Sequence, residues 1–154
     1  MTVSLTPRQE IWRGLLLGQR SMLTSMAAEL KREFGLTLPA FEALLSLWEA
    51  PGGTMQTTRL ARSLLYSSGS ASHLISRLVD AGLVRRETSA EDARVIEVSL
   101  TARGTTLIEG AVEAHLASIA RTFEPLVDDA DVAALLGFAR RMAAHENVVS
   151  APFA

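Results

Sequence analysis

The chain has 154 residues, 48% of them hydrophobic and 21% charged, with a net charge of −2 and no cysteine. That composition excludes a disordered or low-complexity chain, and the length suffices to bury a core without a disulfide or metal staple. The missing cysteine excludes disulfides, thiolate nucleophiles, cysteine-ligated zinc, iron–sulfur clusters and thiol redox switches.

No internal repeat interrupts the chain. Apolar residues recur at helical spacing from Thr6 to Phe34, which predicts a long first helix closed by Gly35. Thr37 is the expected N-cap of a second helix, with Pro39 tolerated in its first turn. This helix carries Phe41, Leu44, Leu45, Leu47 and Trp48 and ends at Pro51-Gly52-Gly53. A third helix begins near Thr57 and is expected to bury Leu60, Ala61, Leu64 and Leu65. Ser67 caps a fourth, which runs to about Ala81 and is closed by Gly82. The period then changes from helical to alternating. Residues 83–88 and 94–100 predict two strands joined at a hairpin tip over 89–93. Thr101 caps a fifth helix ending near Phe123 and Pro125, and Asp128 or Asp129 caps a sixth. The order is four helices, a hairpin and two helices, so the predicted class is mainly α with a small β-hairpin wing (α+β). Helices three and four form a helix-turn-helix, and the hairpin stands where the wing of a winged helix would be.

Charge is divided unevenly along this plan. Residues 54–104 hold seven arginines against five acidic residues, whereas the rest holds eight basic and twelve acidic residues. Arginine's planar fork suits phosphates and base edges. The fourth helix buries Ala71, Leu74, Ile75 and Leu78 as one stripe. Its other face carries Ser68, Gly69, Ser70, Ser72, His73, Ser76 and Arg77. Alone, that face reads as the ordinary solvated surface of an amphipathic helix. Its place as the second helix of a helix-turn-helix points instead to DNA, because small hydroxyls approach a duplex closely and Arg favours guanine O6 and N7. In the hairpin tip, Asp92 and Arg94 are two residues apart. An extended tip puts both on one side, where Asp92 is expected to hold Arg94 by a charge-assisted bond and aim it at a minor groove.

Catalysis lacks a constellation. The three histidines, His73, His115 and His145, are far apart, and no H-x-x-x-H, Gly-rich phosphate loop or G-x-S-x-G accompanies them. Glu113 and His115 face different ways on a helix, which argues against a metal site near Glu109. No enzyme activity, metal or cofactor is expected. Apolar runs are short and the first residues lack a signal-peptide pattern, so no membrane partner and a cytoplasmic location are expected.

Several motifs together resemble the MarR (multiple antibiotic resistance regulator) family. They are the run 35–44, the pair Leu60-Ala61, the stretch 76–86, the wing motif Asp92-Ala93-Arg94, and the stretch 98–104. The resemblance implies a homodimeric winged-helix regulator, usually a repressor, on a pseudo-palindromic double-stranded DNA operator. It places Ser70, Ser72, His73 and Arg77 on recognition-helix contact positions and Arg94 on the wing contact, with His73 standing where Arg or Lys is common. Residues 1–36 with 102–147 are the expected dimerisation helices, 37–101 the DNA-binding lobe and 148–154 a flexible tail. The family also implies a small, often aromatic anionic effector. Trp12, Leu16, Arg20, Phe41, Leu45 and Trp48 are the candidate lining, each with a plain core role as the competing reading. A metal-responsive regulator and a winged-helix protein-interaction module without DNA binding are the alternatives.

Overall fold

The computed structural model describes residues 4–90 and 92–145. The expected tail over 148–154 lies outside the described residues. The chain divides into two compact units, Met1–Leu38 and Pro39–Ala154.

The first unit is helix α1, Pro7–Phe34. Thr6 starts it with a reciprocal cap: its hydroxyl accepts from the Gln9 amide, and the Gln9 side chain accepts from the Thr6 amide. Gly35, at φ 68°, ends it. Ile11, Trp12, Leu15, Leu16 and Leu17 are all exposed along α1.

In the second unit, α2 (Leu38–Glu49 as a whole helix) is followed by α3 (Thr57–Ser63), α4 (Ser68–Asp80), α5 (Ala102–Thr122) and α6 (Val132–His145). Three strands, β1 (Thr54–Gln56), β2 (Val84–Thr88) and β3 (Ile96–Leu100), form an antiparallel sheet in the order β1-β3-β2. Phe41, Leu44, Leu47, Leu60, Ile75, Val98 and Ile108 are its largest fully buried side chains. Strand β1 was not expected: three residues, two of them polar, carry no readable period. The chain reverses at Gly52 and Gly53, both near φ +67°, and pairs Met55 with Val98. No helix among the described residues is long and apolar enough to cross a membrane.

Two helix ends share one hydrogen-bond pattern and differ in the residue that makes it. After α4, the Leu83 amide reaches the Leu78 carbonyl and the Gly82 amide reaches Val79, with Gly82 at φ 69°. After α3, the Tyr66 amide reaches Ala61 and the Leu65 amide reaches Arg62, with Leu65 at φ 54°. Leu65 is therefore not buried, as the helical spacing predicted; it is 82% exposed. The left-handed conformation that ends α3 swings its side chain off the core stripe.

The sixth helix also begins later than its acidic run suggests. The Asp131 carbonyl, not that of Asp128 or Asp129, accepts the first helical bond, from Leu135. Asp128 closes the preceding turn by accepting from the Asp131 amide.

Candidate nucleic-acid interface

Helix α4 is fixed from both ends. At its start the Ser67 hydroxyl accepts from the Ser70 amide at 3.2 Å. Along one side Ala71, Leu74, Ile75 and Leu78 are buried. Ser68, Gly69, Ser70, Ser72, His73 and Arg77 are exposed on the remainder. Ser76 is half-buried, and its hydroxyl donates to the Ser72 carbonyl at 3.0 Å. That back-bond occupies its one hydrogen and leaves it only acceptor capacity. No acidic residue occurs between Ser68 and Val79.

At the tip of the wing, Asp92 acts differently from the sequence expectation. Its carboxylate Oδ1 accepts the backbone amide of Arg94 at 2.9 Å, and its carbonyl accepts the Val95 amide at 2.9 Å. Among the described residues no Asp92–Arg94 ion pair forms; those of the surface are Arg32–Glu33 and Arg85–Glu87. A carboxylate two residues upstream reaches the local amide without ordering a long side chain, which is the usual Asx-turn preference. Asp92 thus shapes the backbone from which the exposed Arg94 projects.

One residue beside this candidate surface was missed. Arg86 lies on β2, where alternation puts it on one face with Val84 and Thr88, opposite Val98. Its Nη2 donates to the Ser72 carbonyl at 2.9 Å and to the Ser72 hydroxyl at 3.3 Å. The sequence shows the arginine and the alternation, but only the packing of sheet on helix brings Arg86 to α4. A cleft of about 470 Å³ opens there, lined by Thr57, Thr58, Ser72, Arg86, Arg94 and Ile96 among others. The exposed face of α4, the wing tip and the cleft between them thus form one continuous candidate surface.

The residues considered for an effector lie in both units. On α1, Trp12, Leu16 and Arg20 are exposed. On α2, Leu45 is half-buried and Trp48 exposed. Phe41 is fully buried, its ring edge-on to His115 with centroids 5.5 Å apart. On α2, burial pushes the Glu42 carboxyl above its ordinary value.

A model of the MarR family matches residues 34–95. The crystal structure of AbsC, a MarR family transcriptional regulator from Streptomyces coelicolor, superposes with a TM-score of 0.84 at 32% identity, covering 95% of this chain and 99% of that one. The organic hydroperoxide resistance transcriptional regulator of Bacillus subtilis is 32% identical over 99 residues, 64% of this chain and 66% of that protein. An HTH-type transcriptional repressor of Mycobacterium tuberculosis is 35% identical over 92 residues, 60% of this chain and 65% of that protein. The matches thus span just under two thirds of the length of these two relatives.

Proposed function

Because this chain belongs to the MarR family, we propose that it is a transcriptional regulator, a repressor that holds a pseudo-palindromic DNA operator as a homodimer. The observation that carries the reading is the outer face of α4, free of acidic residues from Ser68 to Val79 and with Arg77 exposed on it, beside a wing that projects Arg94. A helix of that kind fits a major groove, and a lone arginine fits the negative potential of a narrow minor groove. In this reading residues 37–101 form the DNA-binding lobe. The experiment is retention of genomic DNA fragments by the purified protein, followed by sequencing. Recovery of one recurrent twofold motif, with salt-sensitive affinity, supports it. Recovery of no enriched sequence leaves a protein-interaction module as the better description.

The dimer is supported by apolar side chains that each unit leaves exposed. Ile11 and Leu15 on α1, and Leu135 and Met142 on α6, are 39–56% exposed. Soluble monomers rarely display such patches. Residues 1–36 with 102–147 are accordingly the proposed dimerisation helices. Light scattering at micromolar concentration should give the mass of two chains, and Leu135→Glu should halve it. A stable wild-type monomer contradicts the dimer.

An effector must bind the two operator-binding states with different affinities to release DNA. This chain has no cysteine, so peroxide has no thiolate to oxidise. We propose a small aromatic anion, for which Arg20 and Trp12, both exposed on α1, supply a cation and an aromatic surface. A gel-shift titration with salicylate should release the operator. Release by peroxide and by no phenolic carboxylate overturns this.

The wing carries a test with an unexpected sign. Asp92→Ala removes a negative charge, which simple electrostatics says should tighten DNA binding. It also removes the bond that holds the Arg94 amide, so the tip must be ordered on binding instead. The expected result is weaker operator binding, by about 1 kcal/mol, the typical worth of one such bond. Fluorescence anisotropy on the recovered operator measures it, and tighter binding removes the orienting role.

A further inference from the structure

The two grooves of a duplex are divided by a single sugar–phosphate strand. If α4 occupies a major groove and Arg94 the neighbouring minor groove, that strand crosses the space between them. In this protein the space is the cleft lined by Thr57, Thr58, Ser72, Arg86 and Arg94. We propose that the cleft seats one backbone phosphate of the operator, with Arg86 as its principal cation. The inference rests on the DNA-binding reading and names a contact within it.

The chemistry of the lining fits a phosphate. A guanidinium carries five N–H donors. Arg86 directs both of its bonds to Ser72 through Nη2, and its Nε and Nη1 make none among the described residues. Those bonds hold the side chain in place before DNA arrives, which lowers the ordering cost of a contact. Thr57 spends its hydroxyl hydrogen on the Ile96 carbonyl at 3.1 Å. Thr58, exposed on the next position, has no such bond among the described residues and is a hydroxyl donor available to the seat. Glu87 also borders the cleft, but its carboxylate is paired with Arg85 Nε at 3.1 Å. Arg94 adds a second positive charge at the rim. The lining thus combines two cations, three hydroxyls (Thr58, Ser72 and Thr88) whose hydrogens make no bond among the described residues, and one carboxylate engaged by Arg85.

The test is a scan of single uncharged methylphosphonate linkages through the recovered operator, with the wild-type protein, Arg86→Gln and Arg86→Lys. One linkage in each half-site, between the major-groove and minor-groove contacts, should lower wild-type affinity about tenfold, the range of one charge-assisted bond. The same linkage should cost Arg86→Gln almost nothing further. Arg86→Gln should also lower the slope of log affinity against log salt by about 0.9 per subunit, and Arg86→Lys should keep most of the slope because it keeps the charge. A role confined to tying wing to helix would move none of these coupling terms. Wild-type insensitivity at every linkage in that stretch, or losses that simply add to those of Arg86→Gln, overturns the phosphate seat. The wild-type scan needs no variant, so a poorly folding Arg86→Gln leaves the test intact. Failure of the wild-type protein to retain any operator overturns the DNA-binding reading itself; retention with no sensitive phosphate overturns the seat alone.

Discussion

Gly104→Ala should destabilise the protein by about 3 kcal/mol or more, beyond the usual cost of one added methyl in a packed site. A methyl group at Gly104, in the first turn of α5, would overlap the Leu83 carbonyl oxygen and stand 3.0 Å from its carbon. Neither is the end of a flexible side chain that can step aside. The same carbonyl accepts the Thr101 amide at 3.0 Å. Thr101 in turn donates to Gly82 at 2.8 Å and accepts the Gly104 amide at 3.0 Å. One methyl therefore disturbs the end of α4, the start of β2 and the cap of α5 together. Thermal unfolding should show a midpoint lower by roughly 6–12 °C for a chain of this size. Gly14→Ala is the control. No heavy atom lies within 4 Å of its added methyl, and alanine is the better helix former, so its midpoint should rise. Equal behaviour of the two variants would mean that α5 does not press on β2 as closely as described.

Arg77→Ala should produce the largest loss of operator binding. Arg77 is exposed in the last turn of α4, and no ion pair among the described residues engages it. Its guanidinium is therefore available to a base edge. A bidentate arginine–guanine contact discriminates by about 1–3 kcal/mol, and a twofold dimer makes it twice, so the loss is about 2–6 kcal/mol. At its low end that is roughly thirtyfold in affinity. The loss should be confined to the operator and to the base pairs that Arg77 reads. A uniform fall across all sequences, with a shallower salt slope, would assign Arg77 to phosphate. Unchanged binding would remove it from the interface.

The sequence by itself determined most of the element plan, because that plan rests on local physics. The stripe of Ala71, Leu74, Ile75 and Leu78 has the helical period, and all four are buried. Thr6, Ser67 and Thr101 precede helices and cap them through their hydroxyls, a bond made within three residues. Gly35 and Gly82 end helices in the left-handed conformation that glycine adopts at least cost. The face of α4, with its serines, His73 and Arg77, follows from the same period, since whatever is not in the buried stripe must point away from it.

What escaped the sequence depends on contacts between distant residues or on competition among near-equal local choices. Strand β1 is too short to show alternation and exists because β3 offers it an edge. Leu65 looked like a core residue by spacing, but the turn between α3 and α4 required a left-handed residue and took it out of the core. Asp92 could reach a guanidinium or an amide from the same position, and the nearer amide won. Arg86 belongs to a strand by sequence and to the surface of α4 only by tertiary structure. Fourteen residues separate it from Ser72, and no periodicity spans the turn that brings them within 2.9 Å. Local hydrogen bonds and burial are written in neighbouring residues and are legible there. The cleft between α4 and the wing is made by the packing of two elements and is present in neither of them alone.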